Sequence, residues 1–178
     1  MRARKLTVSV CVLPLLVMLA AAQKQQRQPL TEPQLEQIRE AGIDPDERVK
    51  LYTKFLQEHV DSINGLIPRI HSGARAKRMD DELQDLTALM DELGSNLDQY
   101  GERKADLRKS LKSLNESTPH WLDVLRDLPS EPGFELSRKE ALDSGKDLAD
   151  EVAQMLKEQT EYFALHKDEK GQERVEPK

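Results

Sequence analysis

The sequence predicts an all-α fold, an antiparallel up-down helical bundle or coiled coil of three long helices with two short ones. Three observations predict it. From Met79 to Leu114 the apolar residues Met79, Leu83, Leu86, Met90, Leu93, Leu97, Tyr100, Leu107, Leu111 and Leu114 step by fours and threes, with one gap at Lys104. That is a heptad seam over five repeats, which keeps one edge of a helix facing a partner. Val49, Tyr52, Leu56, His59, Ile63, Leu66 and Ile70 make a second seam, and Ala141, Gly145, Leu148, Val152, Met155, Gln159 and Tyr162 a third. At ~1.5 Å per residue the first would form a helix on the order of 50 Å long. A stripe that narrow needs other helices to cover it.

The chain begins with Arg2, Arg4 and Lys5, then the mostly apolar run Leu6 to Leu19, then Ala20-Ala21-Ala22 and the polar Gln23 to Gln28. This order reads as a secretory signal peptide over residues 1–22, cut after Ala22, and implies a periplasmic or secreted protein. The alternative is an uncleaved anchor, which would be the chain's one contact with a membrane. The run is at the short end for a span and Pro14 interrupts it. Residues 1–22 hold three basic side chains and no acidic one, so without them the net charge of −6 becomes −9. A chain this acidic lacks the basic footprint that nucleic acid requires. The only cysteine, Cys11, lies in the leader. The remainder therefore has no disulfide, no thiolate zinc site and no cysteine nucleophile.

Residues 23–31 read as a polar linker and residues 32–166 as the helical domain. Thr31 is the expected N-cap of a short helix, with Pro33 in its first turn and Gln34 closing a capping box; Gly42 ends it. Leu30-Thr31-Glu32-Pro33-Gln34 also resembles the L-T-x-x-Q pattern of small periplasmic helical chaperones and envelope stress sensors. The resemblance covers five residues. Those proteins usually carry the pattern twice, and Leu86-Thr87 lacks the Gln; a plain N-cap accounts for the same residues.

Asp44, Pro45 and Glu47 mark a strong helix start. The seam holds register past Asn64-Gly65 and Pro68, which predicts a kinked helix reaching Ile70. His71-Ser72-Gly73 breaks the pattern, and a reversal over residues 71–78 makes a helical hairpin. Arg69, Arg75, Lys77 and Arg78 cluster there, either as an anion or headgroup patch or as a solvated turn.

The Met79–Leu114 helix carries Asp80, Asp81, Glu82, Asp85, Asp91, Glu92 and Asp98 first, then Arg103, Lys104, Arg108, Lys109 and Lys112. Acid before base suits a helix dipole. The acidic start lacks the glycine-punctuated loop of a calcium site. Lys104 in the seam either sets register or snorkels to the surface. Gly94 and Gly101 permit a bend or a close crossing. Asn115 to Pro119 is the expected stop, and Asn115-Glu116-Ser117 fits the N-glycosylation tripeptide. A short helix follows, with Trp121, Leu122, Val124, Leu125 and Leu128. Pro129 to Gly133 breaks the chain again. The last helix runs from about Glu135 to His166, with Leu142, Ala149, Leu156 and Phe163 widening its stripe. Residues 167–178 read as a disordered charged tail.

No catalytic constellation emerges. The positions three residues before His59, His71, His120 and His166 are Leu56, Pro68, Ser117 and Phe163, so the di-iron pattern is absent. No nucleophile elbow, phosphate loop, dinucleotide fingerprint or zincin motif is present. Trp121 and Tyr100 are the candidates for an aromatic contact surface. The expectation is a non-enzymatic module of the cell envelope that binds a protein partner or another copy through its seams, with no cofactor and no metal. The alternatives are a chaperone or stress-sensing subunit, resting on Leu30 to Gln34, and a small-ligand binder, including a haem held between His59 and His166.

Overall fold

The computed structural model describes residues 28–69, 73–103 and 105–169. The leader at 1–22, linker residues 23–27, Ile70, His71, Ser72, Lys104 and residues 170–178 lie outside the described residues, and with them the expectations placed there. Five α-helices follow one another: α1 (Glu32–Glu40), α2 (Pro45–Leu66), α3 (Gly73–Glu102), α4 (Arg108–Asp127) and α5 (Glu135–Leu165). Short 3-10 turns cover Ile67–Arg69 and Lys167–Glu169, and no strand occurs among the described residues. None of these helices is long and apolar enough to cross a membrane. The all-α class holds. The division into long and short helices differs from expectation, because four helices have 20 or more residues and only α1, with nine, is short.

Local chemistry sets the first two helices. Gln34 Oε1 accepts from the Thr31 N–H at 2.8 Å and from its hydroxyl at 2.9 Å, which secures the start of α1. Gly42, at φ +60°, turns the chain out of α1, a conformation that a Cβ would strain. Asp44 caps α2 by accepting from the N–H groups of Asp46 and Glu47. At its far end α2 does not kink through to Ile70. It stops at Leu66, because Pro68 has no N–H to give Asn64, and the Ile67 N–H takes that carbonyl in a tighter turn. Within residues 28–31, Leu30 is buried and belongs to the core, while Gln28 and Thr31 are exposed.

The principal correction concerns the long central helix. Met79 to Leu114 is not one rod; the chain leaves the helix after Glu102 and resumes it at Arg108. The expected stop at Asn115 to Pro119 is not a stop, for α4 runs unbroken through Pro119. A proline inside a helix costs about 3 kcal/mol, mainly through the carbonyl it orphans and the clash it makes. Here Pro119 and Asn115 are both exposed, so the freed Asn115 carbonyl faces water. On the opposite side Leu114, Thr118, Trp121, Leu122 and Leu125 are buried and hold α4 to its neighbours. The glycosylation tripeptide therefore sits in mid-helix rather than on a loop.

The break alters the electrostatic reading too. α3 begins at Gly73, so Arg75, Lys77 and Arg78 occupy its first turns and not a preceding loop. Arg108, Lys109 and Lys112 stand at the N-terminal end of α4, the wrong end for its dipole. Carboxylates answer this. Asp106 Oδ1 accepts from the Arg108 N–H, and Asp46 of α2 reaches across to accept from the Ser110 N–H at 3.1 Å.

Four helix pairs carry the principal packing: α2 with α3, α3 with α5, α5 with α4, and α4 with α2. Cross-helix contacts give each pair its sense. His59 meets Glu82 and Tyr52 meets Glu92, so α2 and α3 are antiparallel. Leu107 meets Gln159 and Leu122 lies beside Gly145, so α4 and α5 are antiparallel. Asp46 with Ser110 and Gln57 with Trp121 make α2 and α4 parallel, as Asp80 with Ser137 and Asp91 with Ser144 do for α3 and α5. Neighbours are thus not antiparallel throughout. The segment after α3 crosses the assembly, and α4 packs mainly on α2 and α5 instead of folding back on α3.

The seams close within one chain. Val49, Leu56, Ile63, Met79, Leu83, Leu86, Leu93, Leu97, Leu107, Leu111, Leu114, Ala141 and Val152 have no exposed surface. Glycines set how closely α5 approaches. A Cβ on Gly145 would lie 2.9 Å from Leu122 Cδ2 and 3.5 Å from Met90 Sδ, and one on Gly94 would lie 3.0 Å from Glu151 Oε2. Gly145→Val should therefore push α5 off α3 and α4 and cost about 1–3 kcal/mol, read as a lower midpoint in thermal unfolding. An unchanged midpoint would show that the crossing is looser than these distances imply.

Candidate functional site

Polar residues inside this fold fall into separate groups, each set by where two helices touch. The first lies between α2 and α3. Tyr52 Oη donates to Glu92 Oε1 at 2.6 Å, and Asn96 Nδ2 donates to Tyr52 Oη at 3.3 Å. Burial and the Glu92 carboxylate push the Tyr52 phenol above its ordinary pKa. Nearer the other end of α2, His59 Nδ1 meets Glu82 Oε2 at 2.9 Å. These links pin the register of the two helices.

The second group lies where α2 and α4 begin. Ile43, Pro45, Asp46 and residues 105–109 line a cleft of 520 Å³. Two ion pairs stand in it: Asp46 bonds Lys50 at 2.8 Å and Arg108 bonds Asp106 at 2.6 Å. Burial would raise the Asp46 pKa, but bonds to Lys50 and Ser110 bring it below the usual carboxylate range. Beside the cleft, the buried Gln159 of α5 holds the crossing segment. Its Oε1 accepts from the Leu107 N–H at 2.8 Å and its Nε2 donates to the Ala105 carbonyl at 3.0 Å.

The third group holds a carboxyl with unspent capacity. Met90, Asp91, Gly94, Ser95, Asp98, Ser144, Asp147, Leu148 and Glu151 line a 240 Å³ cleft between α3 and α5. Glu151 Oε1 is buried with no hydrogen-bond partner. Burial, with the Asp98 charge beside it, pushes the Glu151 carboxyl up to about 7. The two serines are committed, since Ser144 Oγ donates to Asp91 Oδ1 at 2.5 Å and Ser95 Oγ donates to the Asp91 carbonyl at 3.0 Å. What the cleft can do is hold or release one proton near neutrality.

That titration has a sign. The folded-state pKa of Glu151 is raised, so folding is undisturbed below the ordinary carboxylate pKa and loses stability as pH climbs from there through about 7. Glu151→Gln should match the native protein in thermal unfolding near pH 4 and exceed it near pH 8. Parallel melting curves at both pH values would show that Glu151 is solvated like a surface carboxylate.

The structure does not gather the residues that the sequence singled out. Among the described residues no group of three or more His, Cys, Asp or Glu stands close enough to hold a metal ion. The acidic run of α3 is divided among partners: Asp80 with Ser137 and Gln84, Asp81 with Lys77, and Glu82 with His59. His59 and His166 do not approach one another. Gln57 of α2 is level with Trp121 of α4, and the adjacent Leu122 is level with Gly145 of α5. His166 lies 21 residues beyond Gly145, roughly 30 Å along the helix axis. It stacks on Tyr162 and bonds the Tyr162 carbonyl at 2.9 Å. His120 is exposed. Trp121 and Tyr100 are core residues, not a surface pair, and Trp121 Nε1 donates to Gln57 at 2.8 Å. Sequence reasoning missed Glu151. The only signal for it was a carboxylate one residue ahead of Val152, on the flank of a seam.

No family model, curated protein or solved structure matches the chain. The class that can be stated is therefore architectural: an all-α fold with five α-helices among the described residues.

Proposed function

We propose that this chain is an exported, non-enzymatic helical protein that acts through its surface, as a protein-interaction or structural module of the cell envelope. In this reading its four long helices close as a bundle along their heptad seams. The observation that carries it is the burial of those seams inside a single chain, which leaves a charged surface for contact with others. Export rests on the charge, apolar and small-residue order of residues 1–22. A seam buried this way offers nothing to a second copy, so a different protein is the favoured partner over self-association. Among the described residues the large apolar side chains left exposed, Ile43, Leu136 and Leu165, are scattered along the sequence.

The chaperone or stress-sensor reading draws on Leu30 to Gln34. Leu30 is spent in the core and Gln34 on Thr31 and Glu58, so these residues support it less than they support a helix start. The ligand-binding reading is left without its haem pair, because His59 and His166 are far apart along the assembly.

Two measurements test the proposal. Amino-terminal sequencing of the protein from the envelope fraction of its native host should begin at Gln23. Cross-linking in that fraction should join it to a discrete protein. Recovery with Met1 in place and no cross-linked species would reject both parts. Suppression of aggregation of an unfolded client at equimolar protein would favour the chaperone instead.

A further inference from the structure

α1 is the least embedded of the five helices. Its nine residues are fewer than the roughly 12–15 that an isolated helix needs in water. Among the helix pairs that carry appreciable packing it enters only one, with α2. Leu30 just ahead of it and Ile38 within it are the buried anchors, and Leu35 is half-buried. The polar bonds across the pair lie at the surface. A turn over residues 41–44, with Gly42 at φ +60°, joins α1 to α2.

The seat beneath α1 has its own pattern. Leu51, Lys54, Phe55 and Glu58 recur at i, i+3, i+4 and i+7, so they share one face of α2. Phe55 has no exposed surface, and Leu51 packs against the core. Lys54 and Glu58 stand 3.7 Å apart, each about half exposed. α1 meets this charge pair with two neutral amides. Gln37 Oε1 accepts from Lys54 Nζ at 3.4 Å, and Gln34 Nε2 donates to Glu58 Oε2 at 3.0 Å. Position 34 precedes 37 while Glu58 follows Lys54, so α1 runs antiparallel to α2.

We propose that α1 is a displaceable cover, and that the α2 face beneath it is a docking site for an amphipathic helix of a partner protein that presents a base to Glu58 and, three residues on, an acid to Lys54. The proposal rests on the reading of this chain as a protein-interaction module, and names the surface. The face already seats a short amphipathic helix, so its shape suits another. Such a partner sets opposite charges against Lys54 and Glu58 where α1 sets neutral amides, and complementary charge selects one partner over others. A second copy would bring the same two glutamines and hold no advantage over the resident α1. A helix with few buried contacts is also the one that opens most readily while the rest of a fold stays closed.

The test uses the purified full chain and fluorescent peptides spanning residues 28–41. Amides of α1 in the native chain should exchange hydrogen at least about tenfold faster than those in the middle of α2. The peptide with Gln34→Lys and Gln37→Glu should bind saturably, and its reverse, Gln34→Glu with Gln37→Lys, about tenfold more weakly. Glutamate at position 34 caps a helix better than lysine does, so peptide helicity favours the opposite order. Leu30→Ala with Ile38→Ala in the chain should loosen α1 and tighten binding of the first peptide. Lys54→Glu with Glu58→Lys should reverse the order of the two peptides. Should either variant chain not fold, exchange and peptide order in the native chain decide. Equal exchange in α1 and α2 overturns the cover. Absence of saturable binding, or a reversed peptide order on the native chain, overturns the docking site. A partner cross-linked in the envelope fraction through another face would leave the interaction reading standing while these peptides fail, so the two failures are told apart.

Discussion

Replacing Leu97 with aspartate is expected to abolish cooperative unfolding. Leu97 sits in the α3 seam with no exposed surface, among residues that are themselves fully covered. Removing a buried leucine side chain already costs about 2–5 kcal/mol through lost transfer energy and the cavity left behind. Aspartate adds an unpaired charge where no water reaches, which the protein meets by neutralising the group or by opening. The sum is on the order of the whole stability of a domain this size, about 5–15 kcal/mol. Circular dichroism against temperature should show reduced helix at room temperature and no sharp transition. A midpoint within a few degrees of the native protein would mean that Leu97 faces solvent and that α3 is turned about its axis.

The second large effect belongs to Gln159. Gln159→Leu keeps the volume and the apolar contacts of α5 and removes both bonds to the crossing segment. The Leu107 N–H and the Ala105 carbonyl then remain in a buried place without partners, since Ala105 is 3% exposed and Leu107 has no exposed surface. A buried polar group deprived of its partner costs roughly 1–3 kcal/mol. The expected loss is therefore about 2–4 kcal/mol, read as a lower urea midpoint at unchanged slope. Faster hydrogen exchange at the Leu107 amide should accompany it. A midpoint equal to that of the native protein would show that the segment is held by burial of Ala105 and Leu107 alone.

The heptad spacing explains why the central run reads as one helix in the sequence. Tyr100 and Leu107 are a heptad apart, and both are buried, so the spacing survives the break that separates them. The gap at Lys104 was the visible trace of that break, beside Gly101, and a lysine able to snorkel gave it an equally good explanation. At the other end the reverse error arose. Thr118-Pro119 carries the marks of a helix start, but Pro119 stands on the water side of α4, where the carbonyl it orphans is hydrated. Which side of a helix a proline occupies depends on the neighbours, and no local pattern records it. The candidate cleft was less legible still. Glu151 is one acid among 33 Asp and Glu residues, and its carboxylate lies where α5 comes close to Gly94 of α3.

The amino-acid sequence by itself determined the all-helical class, the starts of α1 and α2, and most of the seam positions in the core, though not Leu89, Ala105 or Phe134. Those features depend on capping atoms two or three residues away and on a repeat of three to four residues, all of which lie within one stretch of chain. Only the tertiary structure decided where the Met79–Leu114 run divides, which helix lies beside which, and which carboxylate is left without a partner. Those outcomes depend on side chains more than fifty residues distant, such as Gln159 on Leu107 and Glu151 on Gly94, and an apolar stripe specifies that it must be covered without specifying by what.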